Sequence, residues 1–392
     1  MNTLDHFRKE ACVWLEDNCP PGARGPGPFH TGSSKIPLDN PDLQVWLERM
    51  AEKGWTVPTW PKEYGGAALT SEQYVALLEE MKSVGARPPL INRGTMMVGP
   101  TILEFGNEEQ KKRILPIIAR GEGAWCQGYS EPGAGSDLAS LRTTAVPDGD
   151  RYLINGQKIW TSDGHTSEWM FILVRTGPIE PKHDGISFFI LNMDQPGVDA
   201  RPIQLISGGS HFCETFFENA VADKRDMISE LNKGWTVGKR LLQHERSGME
   251  MLVSGGTGRR QTTVVDVARK YCGNNNGRIV DEFRESVTSY EMDAHALKLT
   301  QRRIVEESTD GKTPGAATSI MKVVSTDLEK IQTELMASLR GTQGYGWEGD
   351  GFNQEELNGA RQFLRSRAAS IYSGSNEIQR NIIAKRVLGL PD

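Results

Sequence analysis

The spacing of apolar residues changes twice along this chain of 392 residues. Up to about residue 120, and again from Gly234 nearly to the end, apolar positions recur at steps of three and four residues, which indicates amphipathic helices. Between these two parts, short β-rich runs alternate with turn residues, which indicates strands. We therefore predict an α+β protein with a helical domain at 1–120, a compact β domain at 121–230 and a second helical domain at 231–392.

The first helical part contains signals for where its helices begin and end. Apolar residues from Leu43 to Trp55 recur near helical spacing. Ser71 to Gln73 opens another periodic run, and Phe105 to Gln110 combines a helix stop with a new helix start. The stretch from Pro20 to Pro37 is rich in proline and glycine, so we predict a surface loop there.

The central part has the pattern of strands separated by turns. Its β-rich runs are 152–154, 169–174 and 186–191. Glycine, proline, asparagine and aspartate accept turn geometry more readily than other residues. The segments that predict turns on this ground are Asp148-Gly149-Asp150, Asn155-Gly156, Asp184-Gly185 and Pro196-Gly197.

Composition and charge exclude several classes of protein. Hydrophobic residues make up 37% and charged residues 24% of the chain, and the formal net charge is −6. No basic stripe is present, which argues against a nucleic-acid surface. No run of eighteen or more apolar residues predicts a membrane span. The first residues also lack the basic and apolar regions of a signal peptide.

Cysteine and histidine usage points to a reducing compartment and to no metal site. The cysteines are odd in number and have no metal-ligand spacing; they are Cys12, Cys19, Cys126, Cys213 and Cys272. The seven histidines form no metal-binding pattern either. We therefore expect free thiols, a cytoplasmic location and no bound metal.

The segment from Tyr129 to Asp137 is the most informative part of the chain. Its nine residues include two glycines, a proline, two serines and two carboxylates. Proline removes a backbone donor, and glycine permits conformations that are closed to other residues, so this segment is neither a helix nor a strand interior. We predict a shaped loop with free N–H groups and hydroxyls that face a ligand, although a surface turn is the simpler alternative.

A second motif follows about twenty-five residues later. Gly156 to Ser162 places an indole beside two hydroxyls at the end of a predicted strand. A loop rich in donors followed by an aromatic residue with hydroxyls suits a planar, hydrogen-bonding cofactor such as a flavin. An ordinary half-buried strand is the alternative for this motif taken alone.

Together, these two motifs resemble the signature of the acyl-CoA dehydrogenases, FAD enzymes that oxidise the Cα–Cβ bond of acyl-CoA thioesters. The resemblance extends over essentially the whole chain. It implies an N-terminal helical domain, a central β-barrel or β-sandwich domain and a C-terminal four-helix bundle. It also implies FAD as cofactor, an acyl-CoA as substrate and an electron-transfer flavoprotein as electron acceptor, or oxygen if the chain is an acyl-CoA oxidase.

A carboxylate lies on an apolar stripe of the predicted helix that follows Gly234. The stripe consists of small or apolar residues interrupted by Glu245; these residues are Gly238, Leu241, Leu242, Met249 and Leu252. Burial disfavours the charged form of a carboxylate and raises its pKa towards the range of a general base. Glu245 is therefore a candidate base. Alternatively, the helix is less buried here and Glu245 pairs with Arg246 or with a cation of a neighbouring chain.

The resemblance leaves more than one candidate for the catalytic base. Familiar medium- and short-chain members carry the catalytic glutamate after a tyrosine and before a glycine, and Ser373 occupies that place here. An unactivated serine cannot abstract an α-proton at neutral pH. The chain is then either a catalytically silent subunit or an enzyme with its base elsewhere. The pair Glu245-Arg246 resembles the arrangement in isovaleryl-CoA, long-chain and steroid-CoA dehydrogenases, which implies Glu245 as base and a branched, long or polycyclic acyl group; Glu377 is a weaker rival.

The resemblance also implies contacts for the cofactor and the substrate. The residues implied to bind FAD are Gln127, Ser130, Trp160, Thr161, Ser162, Arg269, Ser375 and Glu377. Those implied to contact the substrate are Ser136, Arg246, Ser373 and Gly374. Arg269 is implied to reach the FAD pyrophosphate of a neighbouring subunit, and a solvated helix arginine is the alternative. The backbone N–H of Ser373 is implied to bind the thioester oxygen.

The sequence departs from the family pattern near Gly341. Ser338 stands where the family carries a glutamine that binds FAD across a dimer interface, and Thr342 replaces one of a pair of glycines. These changes leave open whether the chain forms a homo-oligomer or a hetero-oligomer with a paralogous subunit.

Overall fold

The computed structural model describes residues 3–254, 262–273, 278–307 and 318–391. Within these ranges, the side chains of residues 3, 245–254 and 304–307 are not described. The chain divides into two compact units. The first consists of Met1–Ile203 with Ser210–Arg259, and the second of Gln204–Gly209 with Arg260–Asp392.

The helices of the first unit begin where the sequence predicts. Thr70 and Gln73 form a capping box at one helix start, and Asn107 and Gln110 form another, so both predicted starts are confirmed. The helices are α1 (Thr3–Asn18), α2 (Asp42–Glu52), α3 (Ser71–Ser83), a π-helical turn (Gly94–Val98), α4 (Gly99–Phe105), α5 (Glu108–Ala119) and α6 (Gly234–Ser254).

Eight strands form one sheet between α5 and α6. They are β1 (Trp125–Gly128), β2 (Thr144–Asp148), β3 (Arg151–Ser162), β4 (Trp169–Arg175), β5 (Ile186–Asn192), β6 (Val198–Ile203), β7 (Phe212–Asp223) and β8 (Met227–Ile228). The strand order is β6-β7-β3-β2-β4-β5-β8, and β1 pairs in parallel with β4. The three strand predictions are confirmed by β3, β4 and β5.

One predicted turn is wrong. Asn155 and Gly156 lie inside β3, where the register with β7 shifts between Ile154 and Gly156. Gly156 has φ +144°, and the Asn155 side chain exchanges hydrogen bonds with Asn219, 3.0 Å from its side chain and 2.9 Å from its backbone N–H. The glycine therefore supports a β-bulge that continues the strand, and not a turn that ends it.

The core of the first unit covers both faces of the sheet. Alternate residues of β4 point to opposite faces, and both sets are fully buried: Phe171 and Leu173 belong to one cluster, and Met170 and Ile172 to the other. The first cluster also contains residues of α4, α5 and α6. The central strand is therefore enclosed, and α6 packs directly on the sheet.

The second unit is helical. Its helices are α7 (Val264–Cys272), α8 (Asp281–Glu307), α9 (Thr318–Arg340), α10 (Gln354–Ser366) and α11 (Asn376–Ile382), the last followed by a π-helical turn (Ile383–Val387). Val267 and Leu339 lie in a core cluster that joins α7, α8 and α9. A short 3-10 turn at Gly341–Tyr345 follows α9. In the described part of the chain, no helix is long and apolar enough to cross a membrane.

Candidate functional site

The two sequence motifs lie side by side in the first unit. The segment from Tyr129 to Asp137 follows β1 directly, and its start is folded into a tight turn in which Glu131 and Ala134 exchange two backbone hydrogen bonds of 3.0 Å each. The Ile159 N–H of β3 donates to the Ser130 carbonyl at 2.9 Å. The loop predicted to face the cofactor is thus attached to the strand predicted to carry its aromatic residue.

A buried ion pair holds the loop and the strand together. Lys158 has a fully buried side chain, and its Nζ lies 2.7 Å from Glu131 Oε1 and 3.0 Å from the Tyr129 carbonyl oxygen. Glu131 also accepts hydrogen bonds from the backbone N–H groups of Arg142 at 2.7 Å and Thr143 at 3.0 Å. The carboxylate therefore joins the loop, β3 and the start of β2.

The environment of this pair shifts both pKa values. Burial lowers the pKa of Lys158 to about 8, and the Glu131 charge acts against that shift. Burial acts to raise the pKa of Glu131, but Lys158 and the two backbone donors outweigh it, so the Glu131 pKa lies below its ordinary value. Both groups are consequently charged at neutral pH.

Trp160 has a backbone conformation that is unusual for an aromatic residue. Its φ is +60°, in the left-handed region. It lies in a bulge of β3, where three steps from Lys158 to Thr161 oppose two steps of β7, from Thr215 to Cys213. The indole is 53% exposed and makes an edge contact with Phe212 at 6.1 Å between ring centroids. The bulge therefore turns a large aromatic surface outward.

The two hydroxyls after Trp160 have different environments. Thr161 is fully buried, and its Oγ1 accepts a hydrogen bond from Thr215 Oγ1 at 3.1 Å. Ser162 is only half-buried. Of these two predicted cofactor contacts, Ser162 is partly exposed, whereas Thr161 is closed off from the surface and is hydrogen-bonded to Thr215.

The remaining predicted contacts of the first unit lie in β1 and in the loop that follows it. Gln127, in β1, and Ser130, in the loop, are both half-buried. Ser136 is exposed near the end of the loop. The next residue, Asp137, accepts hydrogen bonds from Lys182 Nζ at 2.8 and 2.9 Å and from Ser140. The loop is thus held at both ends, by Glu131 and by Asp137.

The helix predicted to carry the base is buried on the expected face. Along α6, Gly238 and Leu241 are buried and Leu242 is half-buried. On another face, Arg240 Nε lies 2.7 Å from Glu104 Oε2, which joins α6 to α4. Glu245 follows Leu241 by one helical turn; its side chain and that of Arg246 lie outside the described residues.

The other predicted site residues belong to the second unit. Arg269 is exposed on α7. Ser373 and Gly374 precede α11 with φ values of +53° and +84°. Ser375 caps α11, with its Oγ accepting from the Ile378 N–H at 3.5 Å. Glu377 is exposed in the first turn of α11, where hydrogen bonds lower its pKa and make it a weaker base.

The first-unit residues fit a flavin. An exposed indole is a surface on which a planar ring system packs, and Ser162 supplies a hydroxyl beside it. In the adjoining loop, a Cβ added at Gly133 or Gly135 would meet no heavy atom of the described residues within 4 Å, so the backbone there is open to a ligand. A flavin held by Trp160, Ser162, Ser130 and Gln127 would act there as a two-electron acceptor.

Sequence reasoning missed the residues that support this site. Glu131 and Lys158 lie within the two motifs, but neither was predicted to pair with the other. A signal was available, because Lys158 stands four residues after the buried Ile154 and so on the same face of β3, although the intervening Gly156 is exposed. A lysine at such a position requires a buried partner. Thr215, from β7, had no comparable signal.

Sequence models of one family match nearly the whole chain. The acyl-CoA dehydrogenase N-terminal domain matches residues 5–122, the acyl-CoA dehydrogenase middle domain matches residues 126–220, and the acyl-CoA dehydrogenase C-terminal domain matches residues 232–388. These matches follow the helix, strand and helix order of the chain.

Individual relatives of the chain are named as members of the same family. Acyl-CoA dehydrogenase IpdE1 of Mycobacterium tuberculosis is 36% identical over 398 residues, which cover 100% of this chain and 99% of that protein. Among solved structures, a steroid ACAD named Tcur3481-Tcur3483 superposes with a TM-score of 0.76 at 27% identity and covers 100% of this chain and 98% of its own. The ChsE4-ChsE5 complex from Mycobacterium tuberculosis gives a TM-score of 0.73 at 28% identity, with coverage of 100% and 98%. With flavin-binding motifs, fold and relatives in agreement, the chain belongs to the acyl-CoA dehydrogenase family, whose members are FAD-dependent oxidoreductases acting on CH–CH bonds.

Proposed function

We propose that this protein dehydrogenates the Cα–Cβ bond of a bulky acyl-CoA thioester to the trans-2-enoyl-CoA, with Glu245 as the base that removes the α-proton. FAD held beside Trp160 would supply the two-electron acceptor for the hydride that leaves Cβ. The observation that carries the proposal is the burial of α6 up to the turn before Glu245.

The register of α6 supports Glu245 as base. Gly238, Leu241 and residue 245 follow one another at steps of three and four, so they share one face of the helix. Leu241 is fully buried, and a Cβ added at Gly238 would lie only 3.0 Å from Leu173 of β4. Removal from water raises the pKa of a carboxylate in general and strengthens it as a base at neutral pH, which is why the position of residue 245 on this face supports the proposal.

The competing positions are poorer bases. Ser373 is an exposed serine, and its hydroxyl lacks the basicity to remove an α-proton. Glu377 is exposed and its pKa lies below the ordinary value. A low pKa weakens a carboxylate as a proton acceptor. We therefore assign the base to α6 and not to the segment before α11.

The relatives support a bulky acyl group. The Tcur3481-Tcur3483 protein is named a steroid ACAD, and it covers this chain from end to end. We infer that the substrate of the present chain is a branched, long or polycyclic thioester, and we favour the polycyclic class. A spectral screen with straight-chain, branched and steroid thioesters should show the fastest flavin bleaching with the steroid class, whereas preferential bleaching by butyryl-CoA would contradict this inference.

Glu245→Gln tests the base directly. The amide keeps the size of the side chain but cannot accept the proton, so we expect substrate to bleach the flavin at least about 1,000-fold more slowly, as for loss of a general base. FAD should remain bound with an unchanged visible spectrum. Glu377→Gln tests the rival position, and once loaded with FAD this variant should still be bleached by substrate. The matched control is Glu72→Gln, at an exposed site in the first turn of α3, which should bleach at the wild-type rate. Normal bleaching in Glu245→Gln, or loss of bleaching only in Glu377→Gln, would show that the base is elsewhere.

We also propose that the chain functions as part of a hetero-oligomer with a paralogous subunit and passes electrons to an electron-transfer flavoprotein. ChsE4 and ChsE5 were crystallised as a complex, and the steroid ACAD name likewise joins two chains. In the second unit, large apolar side chains of α8 and α9 face solvent, among them Met292 at 68% and Ile331 at 48% exposure. Such surfaces are typical of subunit interfaces. Rapid peroxide formation without an electron-transfer flavoprotein would instead favour an oxidase.

A further inference from the structure

The strained backbone at Trp160 requires support from its surroundings. A non-glycine residue in the left-handed region is uncommon, and such conformations persist only where neighbouring structure determines them. Trp160 itself supplies little of that support, because more than half of its surface is exposed. The forces that maintain φ +60° must therefore act on the residues to either side.

On the N-terminal side, the support is the Glu131–Lys158 pair. Lys158 precedes Trp160 by two residues, and its ammonium group donates to Glu131 and to the Tyr129 carbonyl, at 2.7 and 3.0 Å. Ile159, between them, donates to the Ser130 carbonyl at 2.9 Å. Each residue that leads into the bulge is thus attached to the loop.

On the C-terminal side, the strand is attached to its neighbour. Thr161 and Thr215 share a hydrogen bond of 3.1 Å between fully buried hydroxyls. The Asp163 N–H donates to the His211 carbonyl at 2.6 Å. The backbone is therefore held against β7 immediately after Trp160. The extra residue of β3 consequently bulges outward and cannot be taken up in the pairing with β7.

The ion pair is suited to holding the bulge because both side chains are buried and neither can exchange its partner for water. Lys158 is fully buried, and Glu131 is 8% exposed. Removing one partner leaves a buried charge without its counter-ion, which is a large perturbation. In addition, Glu131 accepts hydrogen bonds from the backbone N–H groups of Arg142 and Thr143. These bonds fix the position of the carboxylate that Lys158 contacts.

We propose that the buried Glu131–Lys158 ion pair positions the Trp160 indole for FAD by holding the left-handed bulge of β3. Neither side chain touches the flavin in this role; both are positioning residues. The inference rests on the proposed place of Trp160 in the flavin site. It predicts that loss of the pair changes flavin binding through Trp160.

The first experiment compares FAD binding by variants of the apoprotein. We expect Glu131→Gln and Lys158→Met each to raise the FAD dissociation constant at least tenfold, measured by quenching of flavin fluorescence, and to change the visible circular dichroism of bound FAD. The double variant Glu131→Gln/Lys158→Met removes both charges and should fold while retaining the binding defect. Asp226→Asn is the matched control, because it breaks a partly buried pair with Arg113 at 2.5 Å; it should change the constant less than threefold.

The second experiment is a double-mutant cycle with Trp160→Gly, since glycine adopts a positive φ without support. In the Trp160→Gly background, Lys158→Met should weaken FAD binding less than threefold. An equal tenfold loss in both backgrounds, or wild-type affinity and dichroism in the ion-pair variants, would overturn the proposal. If Trp160→Gly alone leaves affinity and dichroism unchanged, the place of Trp160 in the flavin site is wrong instead, and the positioning role is rejected with it.

Discussion

At the scale of single residues, the most informative position is Trp160, where sequence and conformation conflict. An aromatic side chain is among the least suited to a left-handed backbone, yet β3 places one there with φ +60°. A conflict of this kind often marks a functional site, where strain is retained because it orients a side chain. Here the strained residue carries the exposed indole that we assign to the flavin.

A pair of substitutions at this position isolates the backbone strain. Trp160→Gly and Trp160→Ala both remove the indole, but only glycine accepts positive φ without steric cost. In the apoprotein, we expect the glycine variant to exceed the alanine variant in free energy of unfolding by about 1 kcal/mol. Urea unfolding measures this difference. Equal stability, or a more stable alanine variant, would show that the bulge relaxes when the indole is removed.

His30 is a second residue whose environment determines its chemistry. It lies in the proline- and glycine-rich stretch predicted to be a surface loop, but it is only 8% exposed, so that prediction is wrong at this point. Its Nδ1 accepts from the Gly32 N–H at 2.9 Å, and its Nε2 lies 2.9 Å from Gln44 Oε1. This arrangement requires a neutral ring, with the proton on Nε2.

His30 should make stability sensitive to mild acid. Burial lowers its pKa below 6.5, although Gln44 opposes the shift. The folded state therefore binds its proton less readily than the unfolded state, so the stabilisation is complete above about pH 6.5 and is lost as the pH falls through the lowered value. We expect His30→Phe to reduce the decline in unfolding free energy between pH 7.5 and pH 5. His6→Asn, at an exposed site, is the control and should leave that decline unchanged.

At the scale of elements, the contact between α6 and the sheet determines where the proposed base lies. Gly234, the first residue of α6, approaches the backbone of β5 so closely that a Cβ would lie 2.4 Å from the Ser187 carbonyl carbon and 2.5 Å from the Phe188 nitrogen. Only glycine fits at this distance. The same close approach sets the position of every later residue of α6, including Glu245.

Gly234→Ala should therefore disturb both stability and catalysis. Because the added methyl group meets backbone atoms that cannot move aside, we expect a loss of about 1–3 kcal/mol in unfolding free energy. Displacement of α6 should also slow flavin bleaching by substrate. Gly351→Ala, in the turn before α10, is the control, since its Cβ would enter open space, and it should stay within about 0.5 kcal/mol of wild type. Similar behaviour of both variants would refute the packing argument.

At the scale of the whole molecule, the exposed apolar side chains of α8 and α9 bear on assembly. Met292, Leu299, Val324 and Ile331 are each at least 36% exposed in the single chain. Exposed apolar side chains gathered on two helices that pack together are more typical of an interface than of a solvated surface. We infer that another subunit covers them.

Charged substitutions on this surface test that inference. Met292→Glu with Ile331→Glu should lower the mass measured by light scattering from that of an oligomer to that of one chain, because an unpaired carboxylate would be buried at the interface. Val13→Glu, on the exposed side of α1, is the control and should keep the oligomer. If the wild-type chain purified alone is already monomeric, the assay is repeated with a co-expressed paralogue. The inference is contradicted if the charged variant has the same mass as the wild type in both settings.

The sequence alone determined the parts of this protein that depend on local chemistry. Proline and glycine in the segment from Tyr129 to Asp137 rule out regular structure, and helical periodicity places Glu245 on the stripe of Gly238 and Leu241, because both effects act within a few residues. The two motifs indicate the family and the cofactor from sequence alone because each is a short, continuous segment. The tertiary structure alone decided that Lys158 pairs with Glu131 and that Thr161 is hydrogen-bonded to Thr215. It also decided that Trp160 has a left-handed backbone conformation. These features depend on strand register and on partners far away in sequence, which local propensity does not encode.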